Sequence, residues 1–209
     1  MIRYNYINRL VLQIYFSLDK ISFPINPIEI INKLPNCRYL SYQKFAEING
    51  CTINEVIEIC KSKSGCTNFD VDTGRYLILC NESTENHNNP GRQRWTCLHE
   101  IGHVVCDHLN VSALEMLAEN ATSDAENKEY ELEADYFAAT AIAPFPLFKE
   151  LGITSIPTAQ SFFGLSAEAA SYRFNQYLKW KQDHRKTAWE NDMLQVYRKK
   201  NSLPLYSSP

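Results

Sequence analysis

Residues 94–106, with the sequence RWTCLHEIGHVVC, contain two histidines four positions apart, His99 and His103, and Glu100 directly follows the first. On a helix, residues four apart lie one turn apart on the same face, so both imidazoles can point at one ion. Glu100 lies too far round the helix to share that ligand plane, but it can reach a water molecule on the same ion. This HExxH arrangement, two ligands with a general base, is used by zinc hydrolases.

The residues around this pattern predict a helix. Asn89 can cap it, and Pro90 suits the first helical position, where a missing N–H is tolerated. Gly102 costs a helix up to about 1 kcal/mol relative to alanine, so we expect another element to pack closely there. Apolar residues recur at helical spacing and predict a buried stripe beside the histidines: Leu98, Ile101, Val105 and Leu109. A surface helix with two incidental histidines is the simpler alternative.

A third ligand is available downstream, in residues 129–139 with the sequence EYELEADYFAA. A catalytic zinc site needs three protein ligands and one open position. Glu131 and Asp135 share one helical face, so Glu131 can complete the site while Asp135 accepts the free ring N–H of a ligating histidine. Glu133 lies about 200° round the helix from Glu131, so only one of them can be a ligand. We prefer Glu131, which alone has an acidic residue at i+4. Glu133 remains the alternative third ligand. An acidic residue at position 133 is also explained by a solvated first turn of a helix, which favours negative charge.

The two motifs together resemble the ImmA/IrrE family of zinc metallopeptidases. The resemblance rests on residues 99–103, residues 131–139 and then Ile142-Ala143-Pro144, and it is specific over about residues 65–145. It implies that His99, His103 and Glu131 bind Zn²⁺ and that Glu100 is the catalytic acid/base. It also implies an edge strand that holds the substrate backbone. The implied substrate is a helix-turn-helix repressor of a mobile element or phage, and its cleavage would derepress that element's genes.

Composition bounds the class of protein. A chain of 209 residues, with 44% apolar residues, 22% charged residues and a net charge of −3, suits one compact domain or one with a small appendage. The apolar run at residues 10–16 is too short to span a bilayer and lacks the cleavage site of a signal peptide. The seven cysteines form no CxxC pair, which indicates reduced thiols. We therefore expect a cytoplasmic protein that does not contact membranes.

The predicted fold class is α+β: a zincin-like metallopeptidase domain that is mainly helical, with a small β-sheet and a helical C-terminal part. Residues 1–145 would form the domain around a core at 65–145, residues 146–200 would complete it, and residues 201–209 would be a tail. A capping box at Thr52 and Glu55 predicts a helix. A turn at residues 72–74 predicts a hairpin whose second strand is covered on both faces. The acidic connection at residues 110–129 is predicted to be partly helical around Leu114, Met116 and Leu117.

Two other functions remain open. Residues 158–178 are typical of helix, tight turn, helix, and residues 173–200 carry a local charge of +5, which favours a helix-turn-helix DNA binder. The second of these helices, however, is predicted to use four residues for packing: Tyr172, Phe174, Tyr177 and Leu178. We therefore interpret the pair as completion of the domain, without direct nucleic-acid binding. A zinc-binding but inactive interaction protein is the other alternative, although a structural zinc has no use for Glu100.

Two further histidines are predicted to lie outside the site. His108 follows His103 by five residues, about 140° off the ligand face of a continuous helix. His87 lies in a polar segment and is predicted to be a solvent-exposed loop residue.

Overall fold

The protein is described by a computed structural model over residues 1–82, 90–112, 116–118, 125–183 and 187–202. Its elements are α1 (Tyr4–Ser17), α2 (Pro27–Ile31), β1 (Cys37–Ser41), α3 (Tyr42–Asn49), α4 (Ile53–Cys60), β2 (Gly65–Asp70), β3 (Arg75–Cys80), α5 (Pro90–Val105), α6 (His108–Ser112), β4 (Met116–Ala118), α7 (Ala125–Ile142), α8 (Phe145–Glu150), α9 (Ile156–Phe163), α10 (Ala167–Asp183) and α11 (Ala188–Asn201). This arrangement confirms the α+β class with a small sheet. None of the helices in the described ranges combines the length and the apolar character that a membrane span requires.

The four strands form one mixed sheet in the order β1-β3-β2-β4. The predicted hairpin is confirmed, because β2 and β3 pair antiparallel up to Asp70 and Arg75. β1 joins β3 in parallel. The helical prediction at Met116 and Leu117 is wrong, because residues 116–118 pair antiparallel with β2 instead. Leu114 lies outside the described residues. Pairing with β4 satisfies the backbone N–H and C=O groups on the edge of β2 that does not pair with β3. A short helix at residues 116–118 would leave those groups to solvent.

Both faces of the sheet are covered, as the apolar sequence of β3 predicts. Ile78 faces the large core, which also contains Leu98 and Ile101 of α5. The next residue, Leu79, faces a smaller core that contains Tyr42 of α3. This alternation follows from the two-residue repeat of side chains along a strand. The predicted capping box of Thr52 and Glu55 is present at the start of α4, and this helix also contributes to the smaller core.

Helix α5 packs on β2 and β3 and, most extensively, against α7. It begins at Pro90 as predicted, while Asn89 lies outside the described residues. Leu98, Ile101 and Leu109 are fully buried. The expected close packing at Gly102 is confirmed, because a Cβ there would lie 3.0 Å from the Cα of Ala134. The two helices that carry the sequence motifs are therefore in direct backbone contact.

Helices α9 and α10 form the predicted helix, turn, helix around Gly164, whose φ is 62°. Phe174 and Tyr177 are buried against the core. Tyr172 and Leu178 are 68% and 41% exposed, so the prediction that they pack is wrong. Tyr172 lies about 200° round the helix from Phe174, and both cannot face one core. α11 packs against α1 and α8. Residues 203–209 of the predicted tail lie outside the described ranges.

Candidate metal centre

Three predicted ligands converge where α5 crosses α7. The Nε2 atom of His99 lies 3.1 Å from the Nε2 atom of His103 and 3.1 Å from Oε2 of Glu131. Oε1 of Glu131 lies 3.5 Å from His103 Nε2. Both histidines are buried and Glu131 is half-buried. The three side chains therefore form one compact group of nitrogen and oxygen atoms.

Asp135 determines which nitrogen of His99 carries the proton. Its Oδ1 atom lies 3.0 Å from His99 Nδ1. An ionised carboxylate can only accept a hydrogen bond, so Nδ1–H of His99 donates and the lone pair of a neutral ring stays on Nε2. That lone pair points towards the Glu131 carboxylate, which also presents only lone pairs. Atoms of this kind repel one another unless a cation lies between them.

The group fits a zinc ion. Four ligands at zinc bond lengths of about 2.0–2.1 Å in a tetrahedron are separated by roughly 3.4 Å, close to the 3.1 and 3.5 Å observed between these side chains. Oε1 of Glu131 is buried and has no hydrogen-bond partner within the described part of the chain. Burial lowers the pKa of His99. A proton on Nε2 can nevertheless lie between His99 and Glu131, as a metal cation would, and the hydrogen bonds to Asp135 and Glu131 then outweigh burial and raise that pKa to about 10. This position therefore attracts positive charge.

Glu100 is fully buried between α5 and the sheet. The hydroxyl of Thr67 on β2 donates to its Oε2 atom at 2.6 Å. Gly65, at the start of the same strand, leaves room for this carboxylate, because a Cβ there would lie 3.2 Å from Glu100 Oε1. Thr67 was not predicted from the sequence. A threonine in a strand is common, and only the contact of β2 with α5 reveals its partner.

Glu133 faces away from the three converging residues. It is only 3% exposed, so the interpretation as a solvated first-turn acid is wrong. Arg3, at the start of α1, donates to both of its carboxylate oxygens, and His108 Nε2 lies 3.1 Å from Oε2. Burial alone would raise the pKa of Glu133, but the hydrogen bonds from Arg3 and His108 outweigh it and hold the pKa at about 2. Glu131, and not Glu133, thus joins the two histidines of the candidate site.

His108 lies closer to the site than the sequence predicted. Helix α5 ends at Val105, Asp107 adopts the left-handed conformation with φ 59°, and α6 starts at His108. This reversal returns the buried His108 ring to within 3.0 Å of His103, measured between the two Nδ1 atoms. The prediction assumed a continuous helix and failed for that reason. Burial lowers the pKa of His108 to about 4 even though Glu133 opposes the shift. His87 lies outside the described residues.

Comparison with known protein families identifies the domain in which these residues lie. The chain matches the IrrE N-terminal-like domain, Peptidase_M78, over residues 61–175 of its 209 residues. This stretch includes the α5 and α7 helices and all five site residues predicted from the two sequence motifs: His99, Glu100, His103, Glu131 and Asp135. A search of curated protein sequences found no match. The family match confirms the resemblance noted in the sequence, and the chain belongs to the IrrE N-terminal-like family of metallopeptidases.

Proposed function

We propose that this protein is a zinc-dependent endopeptidase. The observation that carries the proposal is the convergence of His99, His103 and Glu131, whose ring nitrogen and carboxylate oxygen atoms lie 3.1–3.5 Å from one another. A buried carboxylate, Glu100, directly follows the first ligand. Two histidines, one glutamate and an adjacent general base are the set of groups that a zinc peptidase requires.

His99, His103 and Glu131 would hold the metal, and the remaining residues would handle protons and orientation. A bound zinc ion supplies Lewis-acid polarisation of the peptide carbonyl and of the attacking water. Glu100 accepts a proton from that water and delivers it to the leaving amine. Thr67 holds the Glu100 carboxylate through its 2.6 Å hydrogen bond, which limits the positions from which that proton can be transferred. Asp135 holds the ring of His99 in the tautomer that a ligand needs.

The proposed substrate is a helix-turn-helix repressor encoded by a mobile element or phage, whose cleavage derepresses its genes. The resemblance to the ImmA/IrrE family supports this choice of substrate, and membership of a peptidase family supports a protein substrate in general. All seven cysteines are free thiols, which supports a reducing compartment such as the cytoplasm, where a repressor would be encountered.

The first test is metal content. We expect elemental analysis to find about one zinc per chain in the native protein and in Glu100→Gln, and none in Glu131→Ala, which lacks one of three ligands. Absence of zinc from native protein exposed to excess metal would overturn the proposal.

The second test is cleavage. The native chain, co-expressed with a repressor encoded beside it, should yield two fragments by mass spectrometry. Glu100→Gln is the matched control, because it keeps the ligands and loses the base, and it should leave the repressor intact. Zinc in the native protein with no cleavage of the repressor would instead favour an inactive, zinc-binding interaction protein.

A further inference from the structure

His103 is connected to the N-terminal helix by a continuous chain of hydrogen bonds. Arg3 donates from Nε, Nη2 and its backbone N–H to Glu133 at 2.6–3.0 Å. Glu133 Oε2 lies 3.1 Å from His108 Nε2, and His108 Nδ1 lies 3.0 Å from His103 Nδ1. Glu133, His108 and His103 are buried, so solvent does not compete for these bonds.

The donors and acceptors in this chain of hydrogen bonds fix which atom donates at each step. Glu133, paired with a guanidinium, can only accept, so the proton between it and His108 lies on His108 Nε2. A neutral His108 then has its lone pair on Nδ1 and must accept from Nδ1–H of His103. The lone pair of His103 is therefore left on Nε2, the atom that lies 3.1 Å from His99 Nε2. Arg3 and Glu133 thus determine the tautomer of the His103 ring, which is three hydrogen bonds away from Arg3.

Two residues of this chain, together with Cys106, form a group that resembles a second metal site. Ligand atoms of Cys106, His108 and Glu133 lie within 4.8 Å of one another. However, the Arg3 guanidinium already lies against both oxygens of Glu133, with Nη2 at 2.6 Å from Oε2. A metal ion bound there would be placed beside this positive charge in a buried location, which is costly. The guanidinium therefore takes the place of a cation, and the group serves the neighbouring site.

We propose that Arg3, Glu133 and His108 are positioning residues for His103, as Asp135 is for His99. This inference rests on the proposed function, because it assigns His103 as a ligand. Partners on the far nitrogen of a ligating histidine fix its tautomer and orientation and typically change metal affinity 10–100-fold. Arg3 lies outside residues 61–175, the stretch that matches the family. The candidate site would therefore depend on a helix that the matched domain does not contain.

Zinc affinity, measured by competition with a chromophoric chelator, tests the chain through a pair of substitutions at position 108. His108→Leu removes the acceptor for His103 Nδ1–H, and we expect the zinc dissociation constant to rise 10–100-fold. His108→Asn keeps an acceptor oxygen near the position of Nδ1 and should recover most of that loss. Equal zinc affinity in His108→Leu and the native protein would refute the proposal that this chain of hydrogen bonds positions His103.

A second pair of variants distinguishes an effect of the hydrogen-bond chain on zinc affinity from an effect of general destabilisation. Arg3→Gln removes the guanidinium from Glu133 and should weaken zinc binding. Arg198→Gln removes a similar two-bond contact with Glu150, at 2.7 and 2.8 Å, on the surface of α11, and should leave zinc binding unchanged. The same zinc affinity in both variants would contradict the proposed role of Arg3.

Nitrogen-15 spectra of the histidine rings in the native chain provide a measurement that needs no variant. We expect the proton of His103 on Nδ1 and that of His108 on Nε2. A proton on Nδ1 of His108 would reverse the order and overturn the inference, even if His108→Leu fails to fold. Failure of native protein to bind zinc would instead count against the proposed function, while these spectra would still decide whether the chain exists.

Discussion

Gly102 on α5 and Ala134 on α7 are in backbone contact: a Cβ at position 102 would lie 3.0 Å from the Ala134 Cα and 3.2 Å from its carbonyl oxygen. One turn along each helix from this contact lie His99 Nε2 and Glu131 Oε2, the atoms of two proposed ligands, 3.1 Å apart. The separation of the two helices therefore sets the size of the candidate metal site. Two of the three nearest atoms to a Cβ at position 102 are backbone atoms, and the third, at 3.2 Å, belongs to the fully buried ring of Phe137, which has little room to move aside.

Gly102→Ala tests this relationship. In an exposed helix the change would stabilise by up to about 1 kcal/mol, but here we expect a loss of about 1–3 kcal/mol from overpacking. Chemical denaturation measures the free energy of unfolding, and chelator competition measures the zinc affinity, which should fall as the helices separate. A variant as stable as the native protein would show that the contact is not tight.

Thr67→Val removes the hydroxyl that holds Glu100 and keeps the shape of the side chain. We expect the cleavage rate to fall on the order of 10-fold, a part of the 10²–10⁴-fold that a positioned general base contributes. Zinc content should not change, because Thr67 is not among the converging ligands. Thr67→Ser keeps the donor and is the matched control. Equal cleavage rates for Thr67→Val and Thr67→Ser would show that the Thr67 hydroxyl has no role in the reaction.

Asp135→Ala removes the acceptor for Nδ1–H of His99. Asp135 is 51% exposed, so the change should leave the fold intact and weaken zinc binding 10–100-fold. Asp192→Ala, on the exposed face of α11, changes the net charge equally and should leave zinc binding unchanged. If the two variants lost affinity equally, overall charge and not the His99 contact would be responsible.

Zinc removal should lower the stability of the whole domain, because the proposed ligands come from two helices. Ligand that binds only the folded state stabilises by about 4 kcal/mol at 1,000 times its dissociation constant. Thermal unfolding with zinc and with a chelator should therefore give clearly different midpoints for the native chain. In Glu131→Ala the two midpoints should coincide. A zinc-dependent shift that survives in that variant would indicate binding elsewhere.

Arg173 is a buried cation held without a carboxylate in the described contacts that involve it. Its Nε and Nη2 donate to the Ala143 carbonyl at 3.0 and 2.9 Å, and the guanidinium lies 3.7 Å from the centre of the Phe145 ring. Arg173→Met leaves that carbonyl unsatisfied, and we expect a loss of about 1–3 kcal/mol in the free energy of unfolding. Lysine lacks the planar fork and should not restore the stability. Zinc content should be unchanged in both variants.

The sequence predicted those parts of the site whose residues are close along the chain. His99 and His103 on one helix, and Glu131 and Asp135 on another, follow from the spacing of four residues, and the structure brings all four together. Gly102 indicated the close approach of a partner helix without identifying it. Helical periodicity and turn residues also predicted α5 and the hairpin of β2 and β3.

The residues that surround the proposed ligands were missed because their contacts are distant along the chain or depend on a break in a helix. Thr67 reaches Glu100 from a strand, and Arg3 reaches Glu133 from the far end of the chain. His108 was placed by the geometry of a continuous helix, whereas the left-handed Asp107 reverses the chain. β4 was missed because its few residues take their conformation from pairing with β2.

The spacing of the contacts along the chain has a consequence for the order of folding. His99 and Glu131 are 32 residues apart, whereas Arg3 and Glu133 are 130 residues apart. Contacts between nearby segments form sooner than those that close long loops. We therefore expect α5 and α7 to come together early and α1 to join them late. A refolding chain would then capture metal loosely at first and retain it firmly only after its N-terminal helix has docked.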